Sequence, residues 1–124
     1  LVLCSGKVGV EAAGSLRGDV RLVRVEQLYP FPLDTLRREI EAAPHLEEIV
    51  WLQEEPENMG AWRHVSHQLL RTGLAGPRLG YLGRPEAASP AEGYSQRHRE
   101  EQSRLLGLVG QLGASDYWLT GSSR

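Results

Sequence analysis

The chain has 124 residues, 40 % apolar and 24 % charged, with a formal net charge of −2 and a pI of about 6.1. That is enough chain for one domain with a modest core, and it offers no basic field for nucleic acid or an anionic membrane. The single cysteine, Cys4, excludes an internal disulfide and a cysteine-based metal site, and no apolar run approaches the ~20 residues that span a bilayer.

The opening LVLCSG, residues 1–6, is an apolar run closed by Ser-Gly and reads as a buried strand entering a turn. It has neither the layout of a secretory signal nor an initiator Met, so the chain is expected to be a piece of a longer protein. KVGVEAAGSLRG, residues 7–18, reads as a short helix weakened by Gly9 and Gly14 and ended at Gly18. In DVRLVRVEQLYPFP the apolar residues Val20, Leu22, Val23 and Val25 are interleaved with Arg21 and Arg24. A strand is expected there, stopped by Pro30 and Pro32. Asp34 is expected to cap a helix over TLRREIEAA, with Leu36, Ile40 and Ala43 on one face and Pro44 ending it.

EEIVWLQEE is the third strand. NMGAWRHVSHQLLRTGL follows as a helix with Trp62, Val65, Leu69 and Leu70 near one face and Gly73 as the stop. PRLGYLG is a fourth short strand, and RPEAASPAEGYSQ a loop. RHREEQSRLLGLVGQL is the last helix, with an apolar stripe from Leu105 through Leu112. Nearly all-apolar strands joined by helical crossovers imply a three-layer α/β/α sandwich around a mostly parallel sheet. The domain is expected over residues 1–112, and residues 113–124 form a tail with no period.

In such a sheet, ligands and partners collect beyond the carboxyl ends of the strands. Three stretches fall there: CSGK, QLYPFP and QEEPENMGAW. Ser5, Gly6 and Lys7 can seat an anion on free backbone N–H groups, with Arg97 and His98 at the start of the last helix as further candidates. Complete phosphate-loop and dinucleotide signatures are absent, and the same residues also make a plain tight turn with a capping serine. Glu54 and Glu55 could form an acid/base pair, but sequence neighbours at a strand end point to opposite faces. A carboxylate receiving an arginine or a helix N-terminus from another domain or subunit fits better. Gln53, Glu54, Glu55 and Asn58 are therefore candidate interdomain contacts, with Asn58 also able to cap the following helix. Gly60 permits close backbone approach and Trp62 fills the space beneath. His64 and His67 are spaced for a metal, yet no third ligand stands at a matching position and solvent exposure explains them. His45 reads as a loop residue. No catalytic, cofactor-binding or metal residue is assigned.

VLCSGK, VRVEQLYPFP, QEEPENMGAW and GRPEAASPAEG followed by a histidine and EQ occur in this order over residues 1–112. Together they resemble the C-terminal domain of the thiamine-diphosphate-dependent, decarboxylating first component of 2-oxoglutarate dehydrogenase, 2-oxoadipate-type relatives included. The resemblance implies a transketolase C-terminal-like fold within a dimeric oxidoreductase of the tricarboxylic acid cycle, in the bacterial cytoplasm or the mitochondrial matrix. That enzyme decarboxylates 2-oxoglutarate and passes a succinyl group to the lipoyl arm of a partner acyltransferase. Thiamine diphosphate and magnesium would be held by other domains and none by this chain, which would support the dimer and the active-site architecture. The family's usual tyrosines after SGK are missing from VGVEAAGSLRG. Two other readings remain: a nucleotide- or acyl-CoA-binding regulatory module, and a dimerisation domain kept in an inactive relative.

Overall fold

Strand and helix alternate four times in the computed structural model, which describes residues 1–76, 78–90, 93 and 95–112. The order is β1 (Val2–Cys4), α1 (Lys7–Ala13), β2 (Leu22–Arg24), α2 (Leu33–Glu41), β3 (Ile49–Pro56), α3 (Trp62–Arg71), β4 (Leu79–Arg84) and α4 (Ser95–Val109). The strands form one sheet in the order β2-β1-β3-β4, and every described pairing is parallel. The expected parallel α/β architecture is therefore present. The tail expected over residues 113–124 lies outside the described residues.

The period of two along each strand divides the core into two layers. Val2, Cys4, Val50, Leu52 and Leu82 face one side, where α1 supplies Val8 and Ala12 and the last helix supplies Leu105, Leu108 and Val109, followed by Leu112. Leu3, Ile49, Trp51 and Tyr81 face the other, against Leu36 of α2 and Val65 and Leu69 of α3. Each layer repeats the i, i+3, i+4 spacing of an amphipathic helix, so burial rather than intrinsic helix propensity selects these helices. Gly9, which lowers the helix propensity of α1, is what lets α1 approach β1. A Cβ there would sit 2.7 Å from Cys4 Sγ and 3.1 Å from Arg24 Cγ.

Several local expectations are corrected. β2 has three residues rather than a run to Pro30. Among the described residues it is an edge strand whose one neighbour, β1, ends at Cys4, and no ladder bond follows the one from Val25 N–H to the Cys4 carbonyl at 2.7 Å. Asp34 does not cap α2: Pro32 occupies the N-cap position without a side-chain bond, and Asp34 lies in the first turn, where the helix dipole favours a carboxylate. Asn58 does not cap α3, which starts after Ala61 with no side-chain cap. Leu70 is 65 % exposed, because the buried stripe of α3 runs through Val65 and Leu69.

The strand order reverses direction once. The chain steps from β1 outward to β2, then α2 carries it back across β1 to β3 and on to β4. The crevice at the carboxyl ends of β1 and β3 is thus the topological switch point, where open parallel sheets hold their ligands.

Candidate functional site

The last residues of β3 leave the sheet through an irregularity. Leu52 pairs with Leu82 and Pro56 with Arg84, so four steps on β3 oppose two on β4. The two extra residues push Gln53-Glu54-Glu55 out of the regular ladder, as a bulge does near a functional edge. Tyr81 fills the resulting gap. Its hydroxyl lies 2.9 Å from the Arg84 carbonyl and 3.2 Å from the Glu55 carbonyl, and it donates to one at a time. Burial pushes the Tyr81 phenol well above its ordinary pKa. Gly83 is required beside it, since a Cβ there would overlap the Tyr81 hydroxyl and lie 2.9 Å from the Gln53 carbonyl.

Gln53 is the hub of this edge. Only 3 % of it is exposed. Its Oε1 accepts from Trp51 Nε1 at 2.8 Å and from the Trp62 backbone N–H at 3.1 Å. Its Nε2 protons are shared among the carbonyls of Glu55 (3.2 Å), Pro56 (3.0 Å) and Met59 (2.9 Å). The amide thus ties β3, the 57–60 turn and the start of α3 together. Gly60, at φ +64°, is part of the fit, because a Cβ there would stand 3.0 Å from Gln53 Oε1. Trp62 packs on Tyr81 with ring centroids 5.4 Å apart. The Gln53 amide, expected at an interdomain contact, makes its described hydrogen bonds inside the domain.

Asn58 also works within the domain. Its Nδ2 donates to the Ala87 carbonyl at 3.0 Å and its Oδ1 accepts from the Ala87 N–H at 3.1 Å, pinning the 57–60 turn to the loop after β4. The outward-facing groups are Glu54 and Glu55; Glu55 borders two hollows at this edge and Glu54 one of them.

The first hollow, about 370 Å³, lies at the switch point and is lined by Ser5, Leu28, Tyr29, Trp51, Gln53, Glu55, Gly60, Ala61 and His64. Tyr29 is 89 % exposed on the loop after β2. His64 Nε2 lies 3.0 Å from the Leu28 carbonyl, which can only accept, so Nε2 carries the proton. His64 therefore braces that loop, with Phe31 edge-on at 5.8 Å. His67 lies exposed one turn on, and His45 lies in the loop before β3.

The second hollow, about 350 Å³, is lined by Glu54, Glu55, Arg84, Pro90, His98, Glu101 and Gln102. Lys7 lies near it, but its Nζ is 2.9 Å from Glu11 Oε1, and Gln102 donates to the same carboxylate. Hydrogen bonds from Lys7 and Gln102 hold the Glu11 carboxyl below its usual range, with His98 adding attraction. The Glu11 hydrogen bond and, more distantly, Glu54 raise Lys7. Lys7 thus feels the charge of Glu54 across this edge, and Glu11 that of His98. Gly6, at φ +75°, opens α1 without a side-chain cap, so the capping role expected of Ser5 is not seen. Arg97 is exposed on α4 and lines neither hollow. A larger hollow, about 450 Å³, lies at the amino ends of the strands, the edge from which parallel sheets do not act.

Among the described residues, no group of three or more His, Cys, Asp and Glu side chains is placed to hold a metal ion. Glu54 and Glu55 both line the second hollow, and Glu55 lines the first as well. Sequence reasoning missed Tyr29, Glu11, Glu101 and Gln102. The exposed tyrosine between Leu28 and Pro30 was the one available signal, because an aromatic ring in a proline turn has no core to fill.

The family model described as 2-oxoglutarate dehydrogenase C-terminal matches residues 1–109. The chain belongs to the 2-oxoglutarate dehydrogenase C-terminal family. It is 43 % identical over 110 residues to the 2-oxoglutarate dehydrogenase E1 component of Cupriavidus necator. Over 112 residues it is 40 % identical to that of Bacillus subtilis and 38 % identical to that of Coxiella burnetii. Each match covers 86 % of this chain but 12 % of the relative, so the chain spans about an eighth of their length. In this 2-oxoglutarate dehydrogenase C-terminal domain, the QEEPENMGAW segment is accordingly a rim built around one buried amide, with its carboxylates turned outward.

Proposed function

We propose that the chain is the C-terminal domain of a 2-oxoglutarate dehydrogenase E1 component, serving the dimer and the active-site architecture. The enzyme it serves oxidatively decarboxylates 2-oxoglutarate and delivers a succinyl group to the lipoyl arm of its acyltransferase partner. The family match over residues 1–109 carries this reading. The geometry supports it, because the polar side chains Gln53 and Asn58 at this sheet edge are spent on holding a shaped rim. Thiamine diphosphate and magnesium belong to the remainder of the enzyme, and no catalytic step is assigned to residues of this chain. The relatives named above are bacterial, which favours a bacterial cytoplasmic setting over the mitochondrial matrix.

No observation favours the regulatory-module alternative at Ser5, Gly6 and Lys7: Lys7 is committed to Glu11, and Arg97 stands apart. The test uses the full-length polypeptide that carries these residues. It should consume 2-oxoglutarate only with thiamine diphosphate and magnesium present, and deletion of residues 1–112 of this numbering should abolish both activity and dimerisation. Full activity in the deletion variant, or no turnover of any 2-oxo acid by the intact enzyme, would overturn the proposal.

A further inference from the structure

We infer that the hollow at the β1/β3 switch point is a socket for an arginine side chain presented by the remaining domains of the larger enzyme. The inference rests on the reading that this edge meets the rest of an E1 component, and it names the chemistry of that meeting.

Charge complementarity points to the occupant. The lining holds one carboxylate, Glu55, and neither lysine nor arginine. No described hydrogen bond or ion pair occupies the Glu55 carboxylate, whereas Glu11, Glu26, Glu39, Glu86 and Glu101 each face a basic partner. The rest of the lining is largely aromatic and apolar: Tyr29, almost wholly exposed, with Leu28, Ala61 and Trp51. A carboxylate and an aromatic ring lining one hollow suit a guanidinium, which pairs with the first and stacks on the second. An ammonium is more strongly hydrated and lacks the flat stacking surface. His64, which also lines the hollow, has its Nε2 proton given to the Leu28 carbonyl. The floor is preorganised. Gln53 and Gly60 fix the backbone on which Glu55 stands, so binding orders little more than the incoming side chain. The chain spans 12 % of its relatives' length, which leaves most of such an enzyme to supply the arginine.

The 124-residue chain is titrated with N-acetyl-arginine methylamide and followed by amide and indole NMR. Saturable shifts are expected at Tyr29, Glu55, Gly60 and Ala61 and at the Trp51 indole. They should weaken about tenfold in Glu55→Gln and in Tyr29→Ala, both exposed positions where an unchanged spectrum elsewhere reports an intact fold. Shifts that persist in Glu55→Gln, an equal response to the lysine analogue, or no saturable response would overturn the socket. Hydrogen exchange on the full-length enzyme tests the source. Residues 27–31 and 59–62 should be protected relative to the isolated chain, and Glu55→Gln should remove that protection. Absence of the extra protection, or Glu55-dependent self-association of the isolated chain, would overturn the assignment to the enzyme's other domains. The titration does not involve turnover, so its failure is distinct from a failure of the proposed function.

Discussion

Replacing Gln53 by leucine keeps the side-chain volume and removes every polar contact the amide makes. Two of the five bonds are buried, those to Trp51 Nε1 and to the Pro56 carbonyl, and three are part-buried. A buried group left unsatisfied costs about 1–3 kcal/mol, while a part-buried one that turns to water loses about 0.5 kcal/mol. The sum, lowered slightly by the added apolar burial, is about 3–7 kcal/mol. A chain of this size has a stability of roughly 6–18 kcal/mol, so over most of that range the variant still folds, with its midpoint lowered by roughly 10–30 °C. Urea denaturation monitored by tryptophan fluorescence measures the loss, provided the slope against denaturant is unchanged. Gln53→Glu adds a pH test. The introduced carboxyl would put an oxygen against three carbonyl oxygens, so the folded state favours its protonated form and its folded pKa lies above the unfolded ~4.3. Its penalty is then smallest below the unfolded pKa and grows as pH rises through the folded value. A loss under about 1 kcal/mol in Gln53→Leu, or a Gln53→Glu penalty flat between pH 4 and 8, would refute the hub.

Three more perturbations bear on the same framework. Gly9→Ala should destabilise by about 0.5–2 kcal/mol despite better helix propensity, and Cys4→Ala in the same chain should recover most of that loss, measured as a double-mutant cycle. Burial pushes the Cys4 thiol up to about 11, with Arg24 opposing. Its contribution to stability is therefore present below the unfolded pKa and is lost as pH rises through about 11. At pH 8 an aromatic disulfide reagent should modify Cys4 only at the rate of global unfolding. Asn58→Ala removes both bonds to Ala87. It should cost about 0.5–1.5 kcal/mol and expose the 85–90 loop to limited proteolysis before the rest of the domain.

Period and punctuation in the sequence were enough to reveal the layered architecture. Leu36 and Ile40, Val65 and Leu69, and Leu105 with Val109 sit at helical spacings, and Val50, Leu52 and Leu82 at strand spacing. Burial enforces both periods, so they survive the loss of every other detail. The misplaced features depend on contacts between distant residues. β2 ends early because β1 ends, and nothing in residues 19–32 records the length of a neighbour 20 residues away. Asn58 reads as a helix cap from its position, yet its amide finds Ala87, 29 residues on. Gln53 shows the same limit most clearly. A polar residue between a strand and two glutamates looks like part of the exposed rim, yet the strand period puts Gln53 on the buried Trp51 face, where its Oε1 accepts from the indole N–H.

That slip joins the fold to the proposed function. Without it, the carboxylates that follow Gln53 would fall regularly to either face of the sheet. Two extra residues on β3 instead open a gap that Tyr81 fills and a loop that Gln53 holds, leaving Glu55 between two hollows with its carboxylate unspent. The cost of bending the strand is offset by a buried amide with all its valences used, so the rim stays rigid while its charges face away from the core. A partner then meets a surface already shaped to receive it. A domain that carries no cofactor cluster of its own among the described residues can influence an enzyme in this way, by fixing the geometry of what docks against it.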